Sequence, residues 1–279
     1  GSRDCPLPIR ASTPDRVMNY VSHFLIAEYE ASPVVATASM LPDMLQYAGA
    51  TRSTHRVPPI DGPGANSPVW DEVRSGFEHH LAVDRAFHGS LWFADQMRWS
   101  SQWLRAHESP LLDHWSIWLL RHVLIELLID GELIRRDPDL PERLYEGMTA
   151  LQRDTDAVRG IEATFTPPGS FERYLRGFLS HRRVHRYAEE ATMPEILERI
   201  FTTLLERRPR IREANPGLVV FTRDEEGALP PFITALATRI RETVYDVRET
   251  RSLPQEPRRP QSSSEKTGSG TPPAPRPNS

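Results

Sequence analysis

Along most of the chain, apolar side chains recur every three or four positions, the spacing of helices that bury one face. From Pro14 to Glu28 they are Val17, Tyr20, Val21, Phe24 and Leu25, and Ser32-Pro33 then reads as an N-cap and first-turn proline opening a second helix. Pro42 is expected to kink or break that helix. Val73, Phe77, His80, Leu81, Asp84 and His88 fall near one face of a helix over about 69–88. The strongest pattern runs from about Ser109-Pro110 to Arg136, where Asp137-Pro138 stops it. Further helical patterns cover about 139–157, 170–190, 194–213 and 230–250, and only the run Leu218 to Thr222 is a strand candidate. The expected fold class is all-α, a single helical bundle.

Two stretches break the pattern. Residues 49–68, with PPIDGPGANSP inside them, read as a long surface loop of the kind that is often functional or mobile. From 253 to 279 Pro, Ser and Gly dominate and no large apolar residue follows Leu253, so a disordered tail is expected there. Residues 1–13 read as a flexible N-terminus, beginning with a Gly-Ser pair of the kind cloning leaves. That leaves residues 14–252 as the helical domain.

The 279 residues include 34 basic and 38 acidic side chains, a net charge of −4, which argues against a broadly basic nucleic-acid binder; no stable nucleic-acid complex is expected. No apolar run reaches the roughly 18–20 residues of a transmembrane helix. Without a secretory signal in view, a cytoplasmic location is the default expectation. Cys5 is the single cysteine, so any metal would be held by His, Asp and Glu.

Candidate chemistry comes from titratable residues at positions that the periodicity assigns to the core. His23 sits among Tyr20, Phe24 and Ala27, and Asp43 lies in the apolar setting SMLPDML. His80, Asp84 and His88 follow at i, i+4 and i+8, a series that drifts only about 40° per step on a helix, so all three face one cleft. His122, Glu126 and Asp130 repeat the arrangement in RHVLIELLID. One buried His four residues from an Asp is usually a hydrogen-bonded core pair. Burying His23, Asp43, His80, Asp84, His122, Glu126 and Asp130 together makes little sense as structure alone, because each unpaired ionised group costs several kcal/mol. Helical bundles build polynuclear metal sites in this way, from acidic and His side chains on facing helices.

These residues also carry a family resemblance. MNYVSHFLIAE resembles the opening MNFLAH of bacterial acyl carrier protein phosphodiesterases; ASMLPDM resembles their GNLL-x-DF, GFEHHLAVD their G-x-x-x-H-x-x-x-D, and ELLIDGEL their D-x-x-x-D-H-F-L. FLSHRRVHRYAEEATMPEILERIFTTLLERRPRI is similar to their helical C-terminal half, so the likeness spans about residues 17 to 213. It implies an HD-like all-helical phosphohydrolase with a divalent metal, manganese above all, that removes 4′-phosphopantetheine from a serine of holo acyl carrier protein. Carried across by motif, His23, Asp43, His80, Asp84 and Asp130 become metal ligands or their close neighbours, and Glu126 stands where the family has an aspartate. Phe87-His88 replaces the family's Thr-Asp, and Asp130-Gly131-Glu132 replaces its Asp-His-Phe.

The resulting expectation is that His23, Asp43, His80, Asp84, His122, Glu126 and Asp130 hold one or two divalent ions, with Asp84, His88 and Glu126 taking part in catalysis. Mixed imidazole and carboxylate ligands suit manganese, iron or zinc. Arg182, Arg183 and Arg186 on one helix and Arg208 on the next are the substrate-side candidates, for phosphate or for an acidic carrier-protein helix. All six tryptophans lie between Trp70 and Trp118 and read as core, or as the wall of an apolar slot. Expected partners are a phosphopantetheinyl carrier protein or a small phosphodiester. Nucleotide or phospholipid diesters, and a noncatalytic binding scaffold, are the alternatives.

Overall fold

A computed structural model describes residues 20–107, 114–207 and 227–251, with side chains described over 20–107, 116–206 and 227–243. The expectations for residues 1–13, 208 (Arg208), 218–222 and 253–279 lie outside the described residues. The described residues are all-α: they form helices and connecting turns, with no strand among them. None of these helices is long and apolar enough to cross a membrane.

The first three helices follow from local chemistry. Helix α1 spans Tyr20–Glu30, α2 Pro33–Ala38 and α3 Leu41–Tyr47. Ser32 caps α2, its side chain accepting from the Val35 N–H at 3.3 Å, with Pro33 in the first turn. Pro42 breaks the chain as expected and sits in the first turn of α3, where its missing N–H has no helical partner to lose.

Helix α4 (Trp70–His88) and α5 (Leu91–Ala106) are separated by Gly89-Ser90, and Ser90 caps α5 by accepting from the Phe93 N–H at 3.1 Å. The central helix α6 (His114–Arg136) buries Leu119, Leu120, Val123, Leu124, Leu127 and Leu128 and packs against α1, α5, α7 and α10. Then come α7 (Leu140–Arg153), α8 (Thr155–Phe165), α9 (Ser170–His181), two 3-10 turns (Arg183–Ala188 and Glu190–Thr192) and α10 (Met193–Arg207). Helix α11 spans Leu229–Arg251.

The compact unit extends to Thr243; beyond it only the helical residues to Arg251 are described. Two continuous helical patterns prove interrupted. Asp154 ends α7 and caps α8 through the Ala157 N–H, while Arg182, at φ 48°, ends α9 and turns the chain into the 3-10 segment.

Two glycines allow close approaches that position the site. A Cβ on Gly76 of α4 would lie 2.4 Å from the Ala38 Cβ, so α4 sits hard against the end of α2. A Cβ on Gly131 of α6 would lie 2.1 Å from the Tyr187 carbonyl oxygen, which explains a glycine where the resembled family has a histidine. Neighbouring Glu132 is taken up by Arg135 and Arg136, each at 2.8 Å.

The 49–68 loop is pinned to its surroundings. The Thr51 N–H donates to the Phe165 carbonyl at 2.9 Å, the Trp70 indole N–H to the Pro59 carbonyl at 3.1 Å, and Arg74 Nε to the Pro58 carbonyl at 2.9 Å. The tryptophans correct the core expectation in part. Trp70 is buried, whereas Trp92, Trp99, Trp103 and Trp118 are half-buried. Trp92 donates to Thr243 Oγ1 at 3.1 Å, Arg239 lies over Trp99, and Trp103 meets Phe232, so this set holds α5 against α11.

Candidate metal centre

Helices α1, α3, α4 and α6 bring the titratable residues inward as two three-residue groups, within each of which the ligand atoms lie within 4.8 Å of one another. His23, Asp43 and His80 form the first; His88, His122 and Glu126 form the second. Helix α4 contributes to both, through His80 and His88, and Asp84 lies between them one turn from each.

The first group is fully buried. The His23 and His80 rings are 4.1 Å apart, and His80 Nε2 is 3.9 Å from Asp43 Oδ1. His80 Nδ1 lies 2.9 Å from the Ser39 carbonyl oxygen, which can only accept, so the proton sits on Nδ1 and the Nε2 lone pair points toward Asp43. A backbone carbonyl behind the distal nitrogen is the usual partner of a metal-bound histidine. His23 Nδ1 is buried with no hydrogen-bond partner among the described residues. Burial, reinforced by His80, His79 and His88, holds the His23 pKa well below the usual imidazole value, so the ring is neutral.

The second group is tighter. His88 Nε2, His122 Nε2 and Glu126 Oε1 form a triangle with all three edges 3.1 Å. Bonds of about 2.0–2.1 Å to one ion would set neighbouring donors about 3.0–3.4 Å apart, so the triangle matches one face of a coordination sphere. His88 Nδ1 lies 2.8 Å from both Asp84 Oδ1 and the Asp84 carbonyl oxygen, two acceptors, which puts the proton on Nδ1 and frees Nε2. Burial raises the Glu126 carboxyl, but His122 and His88 more than offset it and hold the pKa below the usual range. One ionised oxygen and two imidazole nitrogens are thus packed together. A single proton satisfies one edge of such a triangle; a cation satisfies three.

Asp130 is not part of either group. Its Oδ2 accepts from the Val21 N–H at 3.0 Å, and its Oδ1 accepts from the Ser22 N–H at 3.0 Å and the Ser22 hydroxyl at 2.6 Å. It therefore satisfies N–H groups in the first turn of α1 and fixes the turn that carries His23. Burial pushes its pKa up to about 7, against the pull of those donated bonds. Asp84 likewise serves through His88, whereas His88, expected to act in catalysis, has the position of a ligand. The sequence reading thus assigned the buried residues but not the division among them: which carboxylates face an ion and which hold another side chain depends on helix rotation.

The arginine expectations divide. Arg182 pairs with Glu142 and lies over the Tyr145 ring, and Arg186 pairs with Glu195, so both are engaged by carboxylates. Arg183 lines a cavity with Tyr20, Tyr187, Arg173 and Arg199. Sequence reasoning missed Arg173, Arg199 and Tyr47, whose spacing along the chain carries no local signal.

Compared with known proteins, the chain matches no family model, no curated protein and no solved structure.

Proposed function

We propose that this chain is a divalent-metal-dependent phosphodiesterase. The observation that carries the reading is the 3.1 Å triangle of His88 Nε2, His122 Nε2 and Glu126 Oε1, with the His23–Asp43–His80 group two turns away along α4, the helix that supplies both His80 and His88. Two donor sets flanking Asp84 suit one or two ions, with manganese first and iron or zinc as alternatives. Bound there, such ions would supply positive charge to a phosphoryl group and lower the pKa of water.

The chain's own part is preorganisation. The Ser39 carbonyl and Asp84 fix the protons of His80 and His88 on Nδ1, so both Nε2 atoms are donors toward the centre. Glu126 brings one negative charge held between two imidazoles, and Asp130 anchors the helix that presents His23. His88 is the least buried of the second group, which makes its side the approach for a substrate.

The resemblance to acyl carrier protein phosphodiesterases supplies the finer reading, hydrolysis of the diester that links 4′-phosphopantetheine to a carrier-protein serine. A nucleotide or phospholipid diester is the rival substrate. The test is metal analysis of protein purified without chelator, together with hydrolysis of bis-p-nitrophenyl phosphate after adding manganese. Near-stoichiometric metal and metal-dependent turnover are expected, followed by a mass shift on holo carrier protein. Absence of both metal and turnover overturns the reading in favour of a binding scaffold.

A further inference from the structure

Outside the two donor groups, the structure contains a pair of adjoining cavities between α3, the start of the 49–68 loop, α9 and α10. One has a volume of about 620 Å³ and the other about 360 Å³, and Tyr47, Arg173, Tyr174 and Thr203 line both. Four arginines border the pair, Arg52, Arg173, Arg183 and Arg199, with His181; no Asp or Glu does. Among the described residues Arg52, Arg173 and Arg183 form no ion pair, and Arg199 stands 4.0 Å from Glu195, a carboxylate already bound by Arg186. Arg143, by contrast, is held by both Glu28 and Asp137.

The wall between the arginines is largely aromatic. The Tyr20 and Tyr174 hydroxyls are 3.0 Å apart, and Tyr187, Phe178 and Ile200 continue the surface. Tyr47 lines both cavities, and its hydroxyl, buried behind their surface, has no hydrogen-bond partner among the described residues, so a small rotation that brings it to a ligand oxygen gains a bond. Tyr47 is one turn after Asp43 on α3, and a phenol keeps its proton at neutral pH.

We infer that these cavities form a binding site for an organic phosphate, whose phosphate is taken by Arg173 with the Tyr47 hydroxyl and whose apolar or aromatic body lies on the tyrosine wall. Planar guanidinium forks match phosphate oxygens, and a mostly apolar pocket with few convergent polar groups is the usual form of a small-molecule site. The inference goes beyond the metal reading and does not rest on it, since none of the six donor residues lines the cavities.

The test is titration calorimetry of the full chain with phenyl phosphate, inorganic phosphate and phenol, before and after chelator treatment. Phenyl phosphate is expected to bind at least fivefold more tightly than inorganic phosphate, with phenol weaker than both, and to do so in chelator-treated protein and in His122→Ala. Arg173→Gln, a change at an exposed side chain, should weaken phenyl phosphate at least tenfold, and Tyr47→Phe severalfold. The inference is overturned if phenyl phosphate does not bind, if inorganic phosphate binds equally well, or if both variants bind as wild type does. Binding lost in His122→Ala or on chelation but kept in Arg173→Gln also overturns it, because the phosphate is then at the donor groups. Metal content and diester turnover report on the proposed activity separately.

Discussion

Asp84 Oδ1 lies 2.8 Å from His88 Nδ1 one turn later on α4, and this bond, together with the Asp84 carbonyl oxygen at the same distance, sets which nitrogen of His88 faces Glu126 and His122. Removing it affects the second donor group without removing a member of it. Asp84→Ala should weaken metal binding about 10- to 100-fold, the usual effect of losing an outer partner of a ligand histidine. Asp84→Asn, whose amide oxygen still accepts from Nδ1, should lose less. Competition with a fluorescent chelator separates the two variants.

The two groups predict separable metal losses. If wild type binds two ions, Glu126→Gln should retain about one equivalent, because the His23–Asp43–His80 group is untouched. Elemental analysis after gel filtration reads the ratio directly. Chelator should also lower the melting temperature of wild type, since an ion that binds only the folded chain stabilises it.

Asp130 gives a pH-dependent stability effect whose sign follows from its raised pKa. In the unfolded chain the carboxyl ionises near its ordinary value, 3.8, whereas burial holds it protonated to about pH 7 in the folded chain. Between these values the folded state binds the extra proton, so this contribution is fully present at low pH and is lost as pH rises through about 7. Asp130→Asn has no such titration and also turns an amide N–H₂ toward N–H donors of α1, at a cost of about 1–3 kcal/mol. Thermal melts should show the variant less stable, with its deficit largest near pH 4 and smallest above pH 7.

Gly131→Ala tests the close approach of α6 to the 3-10 turn. A methyl group 2.1 Å from the Tyr187 carbonyl oxygen forces backbone to move, and overpacking of this kind costs about 1–3 kcal/mol. The melting temperature should fall by several degrees, whereas Gly177→Ala, with open space around its Cβ position, should be near neutral or stabilising. Equal melting of the two variants would contradict the packing account.

Much of the helical order was readable because its causes are local. Ser32-Pro33, Pro42 and Asp137-Pro138 act within one turn, and α4 and α6 show their buried faces at a period of 3.6. The missed boundaries have local causes too, but ambiguous ones. Asp154 is tolerated within a helix or caps a new one, and nothing in HRRVHRYA announces a left-handed Arg182.

The sequence by itself determined that the chain is helical, and that His23, Asp43, His80, Asp84, His122, Glu126 and Asp130 are turned inward, since helical period places each on an apolar face. Only the tertiary structure decided how they divide: two donor triads, a carboxylate that fixes the proton of His88, and another that caps α1. It also gathered Arg52, Arg173, Arg183 and Tyr47 from separate elements around cavities without an acid. Period settles which way a side chain faces on its own helix. Which partner it meets depends on the rotation and spacing of four or more helices, set by approaches such as Gly76 against Ala38 and Gly131 against Tyr187.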